Sequence, residues 1–372
     1  MRTRSSASPR VSRPFKRLLG VLAAAALLMP VAPAHAAQRP ALTDQFGLTQ
    51  VSSAASTAST NTDTNFVITV TTPQVAGEQN IRIMLPSDYA AHPTKRYPVL
   101  YFLHGSPDDP SSAFYGNAAL ADAEGIIKVV PDGGNRGWYA NWVNQNTAAG
   151  AANWENFHIN QVIPFIDANL RTIATKQARA IAGISMGGFG AFHYAQRHPD
   201  LFSQVGSLSG DLELGANQMS LRLVVVASLT NVTGAICASS SGTVACDGNA
   251  YAPGVDSDAL FGSPYPVLNA DWRWNKADPV ANAAKLSGMG IHIYIGNGDG
   301  GVHDVREWLI ESASVHMKAK LDSLGIPVHY ENYGNGADWG TYCVGGGHEI
   351  GCWYEDLLDL MPRLQASLTP AA

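Results

Sequence analysis

A serine lies between two glycines in the stretch Gly-Ile-Ser-Met-Gly at 183–187, a pattern suited to nucleophilic attack on an acyl carbon. The stretch before it is short and mostly apolar, as in a buried strand. In residues 189–197 the apolar side chains recur at the spacing of a helix. A strand, a tight turn and a helix with Ser185 at the apex would form a nucleophile elbow. A Cβ atom at Gly183 or Gly187 would collide with the neighbouring strand or helix, so both glycines are expected for steric reasons.

A serine nucleophile needs a base, and His348 is the histidine best placed to provide one. It follows the last strand candidate, in a glycine-rich loop between two cysteines. An imidazole there can take the proton of Ser185 and return it to the leaving group. Asp299 directly follows an earlier strand candidate and is the expected acid of the triad, with Asp304 and then Glu307 as alternatives. Asp304 would otherwise cap the helix that begins near Glu307.

Two other loops at strand ends are candidates for substrate contacts. Gly105 and Ser106 follow a continuously apolar strand, where a backbone N–H group can form half of an oxyanion hole; the alternative is an ordinary strand-to-helix turn. The loop after the next apolar strand carries Trp138 and Trp142 among amide side chains. Such a loop can stack on and hydrogen-bond a sugar, or its aromatic rings can pack the loop itself.

The elements that would position these residues alternate between strands and helices, which predicts an α/β fold with a mainly parallel central sheet flanked by helices. The strand candidates are residues 66–72, 80–85, 98–103, 126–131, 178–182, 202–208, 291–295 and 328–332, and the main helix candidates are residues 154–170, 189–197, 307–324 and 353–368. Residues 211–275 break the alternation, and an excursion of that length predicts a lid-like insertion over the site.

The beginning of the chain has the pattern of an export signal. Six basic residues precede an apolar run at 18–29, and Ala-His-Ala at 34–36 matches a cleavage site. The sequence therefore predicts a signal peptide at 1–36, a flexible lead-in at 37–64 and one domain at 65–372. We expect a secreted or cell-wall-associated protein without a stable membrane anchor.

Net charge, motif content and cysteine spacing indicate which partners, cofactors and disulfides to expect. Loss of the six basic residues at 1–36 would take the formal net charge from −6 to −12, which argues against a nucleic-acid partner. No H-E-x-x-H or G-K-[ST] motif is present, so no metal or organic cofactor is expected. In an oxidising compartment the four cysteines predict two local disulfides, Cys237–Cys246 and Cys343–Cys352.

Several segments, in order, match a known family. They are Tyr-Pro-Val-Leu-Tyr-Phe-Leu-His-Gly at 97–105, Gly-Trp-Tyr-Ala-Asn-Trp at 137–142, Ala-Gly-Ile-Ser-Met-Gly-Gly at 182–188, His-Pro-Asp-Leu-Phe at 198–202, Ile-Gly-Asn-Gly at 295–298, Gly-His at 347–348 and Trp-Tyr at 353–354. Over about residues 95–368 the chain resembles the secreted esterase family that contains the antigen 85 mycolyltransferases and the esterase D type enzymes.

The resemblance implies an α/β-hydrolase fold, Ser185 as nucleophile, His348 as base, and an oxyanion hole from the backbone N–H groups of Met186 and Ser106. It also implies Trp353 as a substrate-site tryptophan, although the family's tryptophan follows its histidine at shorter spacing. In the family, an acidic residue stands at the place of His104 and an arginine soon after it contacts sugar; this chain has neither there.

Three functions follow as hypotheses. The first is a serine acyltransferase or esterase that takes an acyl ester donor and a hydroxyl acceptor, with mycolyl-type transfer to trehalose or cell-wall sugar as the family's example. The second is plain carboxylester hydrolysis of feruloyl or short acyl groups, with water as acceptor. The third is a non-catalytic cell-wall or matrix binding protein on a hydrolase scaffold.

Overall fold

The strands of this chain pair into one sheet of nine within the described residues, which are 39–121, 124–232, 251–267 and 271–372 of a computed structural model. The strands are β1 (Thr49–Val51), β2 (Asn65–Thr71), β3 (Glu78–Met84), β4 (Val99–Leu103), β5 (Ile127–Pro131), β6 (Arg179–Ile184), β7 (Gln204–Leu208), β8 (Gly290–Gly296) and β9 (His329–Gly334). The expected signal peptide and the Cys237–Cys246 pair lie outside the described residues.

Helices flank both faces of the sheet. They are α1 (Ala118–Ala121), α2 (Ile163–Asn169), α3 (Met186–Arg197), α4 (Met219–Thr230), α5 (Trp272–Ala277), α6 (Val305–Ser323) and α7 (Ile350–Ser367). A π-helical segment, Asn156–Val162, runs directly into α2, so together they occupy the long helix expected at 154–170. Short 3₁₀ turns lie at Ala113–Gly116, Lys176–Ala178 and Ala283–Leu286.

The strand order is β1-β2-β3-β5-β4-β6-β7-β8-β9. The β1–β2, β2–β3 and β3–β5 pairings are antiparallel, and every pairing from β5–β4 through to β8–β9 is parallel. The mainly parallel sheet predicted from the alternation of elements is therefore confirmed. The lead-in expected at 37–64 differs in one respect: it contains β1, whose backbone extends the antiparallel edge.

Alternating side chains of the central strands enter two hydrophobic cores. In β4, Val99 and Tyr101 lie in the core that α2, α3, α4 and α6 cover, whereas Leu100 and Phe102 lie in the core beneath α1 and α7. All five residues of β4 are buried, which explains its uninterrupted apolar sequence. Burial on both faces fixes the strand positions, and hence the edge at which the carboxyl ends of the parallel strands meet.

Candidate active site

Ser185 lies at the turn between β6 and α3, with φ 51° and ψ −122°. Its N–H donates to the carbonyl of Leu208 at 2.9 Å, which ties the turn to β7. A Cβ atom at Gly187 would lie 2.1 Å from the Leu103 carbonyl oxygen, and one at Gly183 would lie 2.5 Å from the backbone of Gly187. The steric role predicted for both glycines is confirmed, because only glycine allows the strand and helix to approach this closely.

The structure brings His348 to Ser185 from the loop between β9 and α7. Its Nε2 lies 2.8 Å from Ser185 Oγ, and its Nδ1 lies 2.7 Å from Glu307 Oε2. A carboxylate beside Nδ1 accepts the proton there, so Nε2 presents a lone pair to the serine hydroxyl. The Trp353 ring meets the imidazole edge-on at 4.9 Å between centroids, which further restricts its orientation.

The carboxylate beside His348 belongs to Glu307, not to Asp299. Glu307 is fully buried in the first turn of α6, and its Oε1 accepts the hydroxyl of Ser209 at 2.7 Å and the N–H of Gly296 at 2.9 Å. These two donors, from the residue that follows β7 and from the last residue of β8, hold the carboxylate so that Oε2 faces the histidine. The expectation of Asp299 as acid is corrected on this geometry, because Glu307, the second alternative after Asp304, occupies the position beside His348.

The other two acid candidates have different surroundings. Asp299 is exposed on the turn after β8. Asp304 caps α6: its Oδ1 accepts the N–H groups of Arg306 at 2.9 Å and Glu307 at 3.4 Å, while its Oδ2 accepts the backbone N–H of His348 at 3.1 Å. Burial raises the pKa of Asp304, but His348 and Arg306 lower it more, and the net change is a lowered pKa. Asp304 therefore positions the histidine loop without touching the imidazole nitrogens.

The two residues expected to supply the oxyanion donors lie near Ser185: Met186 follows it directly, and Ser106 lines the same cleft. Met186 N–H opens α3, and a first-turn N–H group has no intrahelical acceptor. On the other side, a Cβ atom at Gly105 would lie 3.4 Å from Ser185 Cβ. His104 fixes the peptide that joins Gly105 to Ser106, since Gly133 N–H donates to its Nε2 at 2.6 Å and its Nδ1–H donates to the Gly105 carbonyl at 2.7 Å.

The three candidate tryptophans occupy different places. Trp138 lines the cleft beside Ser185, and its Nε1–H donates to Ser228 Oγ at 3.0 Å. Trp142 is buried in the core with its Nε1–H on the carbonyl of Gly137 at 3.1 Å, so its loop uses it for packing and it is not among the cleft residues. Trp353 contacts His348, and its Nε1–H donates to Ser209 Oγ at 3.1 Å.

A cleft opens in front of Ser185, and the expected insertion forms one of its walls. Leu221 and Val224 of α4 line it, as do Leu309 and Ile310 of α6. Its other lining residues are Ser106, Trp138, Ser185, Asp211, Ser228, Tyr251, Arg306 and His348. Asp211 and Arg306 were not expected from the sequence. Asp211 comes three residues after β7, so the rule that places ligands at the carboxyl ends of parallel strands could have indicated it.

A disulfide closes the loop that carries His348. The structure pairs Cys343 with Cys352 across a separation of nine residues.

Among the described residues, no group of three or more His, Cys, Asp or Glu side chains is arranged to hold a metal ion. In the same part of the chain, no helix is both long and apolar enough to cross a membrane.

The chain matches one family model and several characterised sequences. The Esterase family model covers residues 72–364. An esterase of Mycobacterium tuberculosis H37Rv is 42% identical over 146 residues, which are 38% of this chain and 31% of that protein. The diacylglycerol acyltransferase/mycolyltransferase Ag85A of Mycobacterium leprae is 28% identical over 295 residues, which are 74% of this chain and 77% of that protein. The aligned region thus covers about a third of the Mycobacterium tuberculosis esterase and most of Ag85A.

Solved structures share the fold. The Mycobacterium tuberculosis protein MPT51 superposes with a TM-score of 0.60 at 19% identity, over 81% of this chain and 97% of that one. A ferulic acid esterase superposes with a TM-score of 0.54 at 18% identity, over 82% of this chain and 98% of that one. The predicted α/β-hydrolase fold is confirmed.

Proposed function

Because this chain belongs to the Esterase family, we propose that it is a serine esterase or acyltransferase that works through an acyl-enzyme on Ser185. One observation carries the proposal: Ser185 Oγ, His348 and Glu307 form a continuous hydrogen-bonded series with contacts of 2.8 and 2.7 Å. Nucleophile, base and acid are within the distances that proton transfer requires. An intact series of this kind disfavours the third hypothesis, a non-catalytic binding protein.

The geometry supports a two-step reaction. Ser185 Oγ attacks the ester carbonyl carbon while His348 Nε2 takes the hydroxyl proton, and Glu307 stabilises the resulting imidazolium. The N–H groups of Met186 and Ser106 are proposed to bind the oxyanion. The alcohol then leaves with the proton from Nε2, and Ser185 holds the acyl group. In the second step His348 deprotonates an acceptor hydroxyl, which attacks the acyl-enzyme and releases Ser185.

The acceptor decides between transfer and hydrolysis. Likeness to Ag85A, named as a diacylglycerol acyltransferase/mycolyltransferase, supports a sugar or other alcohol as acceptor, with mycolyl-type transfer to trehalose as the specific form. Water would give plain ester hydrolysis, and the 42% identity to an esterase of Mycobacterium tuberculosis over 146 residues supports that alternative. We also propose export to the cell surface or beyond, on the signal-like residues 1–36 and a disulfide in the histidine loop.

A fluorophosphonate probe tests the nucleophile. It should label folded protein at one serine, Ser185, and Ser185→Ala should abolish labelling and reduce turnover of an activated ester by about 10⁶-fold. Ser207→Ala is the matched control, because Ser207 is a fully buried serine of β7 on the neighbouring strand. Absence of label on the folded wild type would disprove the enzymatic proposal.

The same protein separates transfer from hydrolysis. Incubation with a medium-chain acyl ester, with and without trehalose, should give acyl-trehalose by mass spectrometry when the sugar is present. Formation of free acid alone under every condition would leave the esterase as the function and exclude transfer to this acceptor.

A further inference from the structure

The carboxyl group of Asp211 lies in the cleft with Ser185 and His348 but has no assigned task in the reaction. The residue is only 3% exposed, and its Oδ1 has no hydrogen-bond partner in the described part of the chain. Buried polar atoms in native proteins are nearly always hydrogen-bonded, because an unpaired one costs free energy of folding. The unpaired Oδ1 near Ser185 therefore indicates a hydrogen-bond partner that the described part of the chain does not supply.

The neighbouring polar groups of the cleft differ from Asp211 in having partners. Ser106 Oγ lies 3.2 Å from the hydroxyl of Tyr251, and Ser228 Oγ donates to the carbonyl of Val225 at 2.6 Å. Arg306 is the exception, because its buried Nε has no hydrogen-bond partner among the described residues. Two atoms of the cleft residues, Asp211 Oδ1 and Arg306 Nε, are thus buried without a hydrogen-bond partner in the described part of the chain.

These two groups do not neutralise each other. The ion pair recorded for Arg306 is with Asp304, at 3.7 Å, and none joins it to Asp211 within the described residues. Burial is the largest influence on Asp211 and raises the pKa of its carboxyl to about 7; His348 lowers that pKa and Glu307 raises it. The Asp211 carboxyl lines the same cleft as Ser185 and His348, and the charges of His348 and Glu307 act on its protonation.

A hydroxyl group suits Asp211 Oδ1, because it can donate to a carboxyl oxygen, whereas an alkyl group would leave that atom unpaired. Arg306 lines the same cleft, and its positive charge disfavours an ammonium group there. We propose that Asp211 is a binding residue that accepts a hydrogen bond from a hydroxyl of the ester substrate, carried a few atoms from the scissile carbonyl. The inference rests on the proposed function, and the hydroxyl can belong to the acyl or to the alcohol part.

Two matched pairs of esters distinguish these sources. Phenyl 3-hydroxybutyrate and phenyl butyrate differ by a hydroxyl on the acyl part, whereas 2-hydroxyethyl butyrate and propyl butyrate differ by a hydroxyl on the alcohol part. The measurement is kcat/KM for each ester from the acid released. In one pair the wild-type enzyme should favour the hydroxylated ester by about tenfold or more, since a site built to bond a hydroxyl rejects an analogue without it.

Variants of Asp211 connect that preference to the carboxyl. Asp211→Ala should reduce the ratio of kcat/KM between the hydroxylated and the unhydroxylated ester to within about twofold. Asp211→Asn, which keeps a carbonyl acceptor, should retain part of the preference. Glu213→Gln is the matched control: Glu213 is a buried acid two residues further along, hydrogen-bonded to His316 at 2.5 Å and absent from the cleft lining, and this variant should keep the full preference.

Two negative results would have different meanings. If the wild type hydrolyses all four esters with equal kcat/KM, or if Asp211→Ala keeps the preference, the role of Asp211 is wrong and the proposed function stands. If the wild type hydrolyses none of them and fails to bind the fluorophosphonate probe, the proposed function is wrong and the role of Asp211 fails with it.

Discussion

Replacement of Glu307 by glutamine tests the acid of the candidate triad most directly. Glu307 accepts three hydrogen bonds, from His348, Ser209 and Gly296. A glutamine that keeps the last two with its carbonyl oxygen turns its NH₂ group toward His348 Nδ1. Nδ1 must then accept, so the imidazole proton moves to Nε2, where it faces Ser185 and prevents the histidine from acting as a base.

The expected loss follows from that tautomer. In a serine protease, the same exchange of carboxylate for amide lowers kcat by about 10⁴-fold, which corresponds to about 5 kcal/mol of transition-state stabilisation. The assay is kcat for an activated butyrate ester, with thermal unfolding to show that Glu307→Gln is folded. Asp299→Asn should stay within about twofold of wild type, because Asp299 is exposed and away from the imidazole.

Asp304→Asn completes the comparison. Asparagine is also a good helix N-cap, so α6 should be preserved and activity should fall by no more than about tenfold through the altered contact with the His348 N–H group. A kcat of Glu307→Gln within about tenfold of wild type, or a greater loss in Asp299→Asn, would refute the assignment of the acid.

Three further predictions concern stability. Replacing both Cys343 and Cys352 by serine should lower the free energy of unfolding by about 3 kcal/mol in the chain-entropy model, measured by urea unfolding with and without reductant; an unchanged value would contradict it. Gly187→Ala places a Cβ atom 2.1 Å from a backbone oxygen and should yield no folded, probe-reactive protein; recovery of folded protein that the probe labels would contradict the steric requirement. Burial raises the pKa of Asp211 from 3.8 to about 7, so folding retains a proton there and stability falls as pH rises across that window. Asp211→Asn should therefore stabilise the protein by about 3 kcal/mol more at pH 8 than at pH 5, and an equal gain at both would contradict the shift.

The sequence was sufficient to predict the fold and two of the three hydrogen-bonded residues because their signals are local. Ser185 lies in a strand–turn–helix motif with sterically required glycines, and the sequence placed His348 after the last strand. Both predictions depend on the order of elements along the chain, which periodicity and glycine positions indicate well.

The acid was mispredicted because the turn after β8 reverses direction. Gly298 has φ 57°, and its carbonyl accepts the N–H groups of His303 and Asp304 at 2.9 and 3.1 Å. Residues 299–302 therefore form a closed turn, and the start of α6 returns to the sheet edge that Asp299 leaves. The number of residues between an acid and the end of β8 therefore does not indicate which acid lies beside His348.

The residues that line the cleft could not be predicted from the sequence, for a different reason. Leu221 and Val224 lie in the insertion that was expected to cover the site, but which of its residues face Ser185 depends on how α4 packs against α6. Trp138 and Trp142 illustrate the same limit, because neighbours in one aromatic loop divide between cleft and core.

The series that joins Ser185, His348 and Glu307 has a consequence for how the protein becomes active during its synthesis. Ser185 and His348 are 163 residues apart in the chain, and Ser209 and Glu307 are 98 apart. Chains are made from the N-terminus, and contacts of such long range form late in folding. A growing or truncated chain that ends before residue 348 carries Ser185 without the imidazole that lies beside it in the folded protein. Under the proposed function, ester turnover would therefore report completion of the whole sheet, through to the loop after β9.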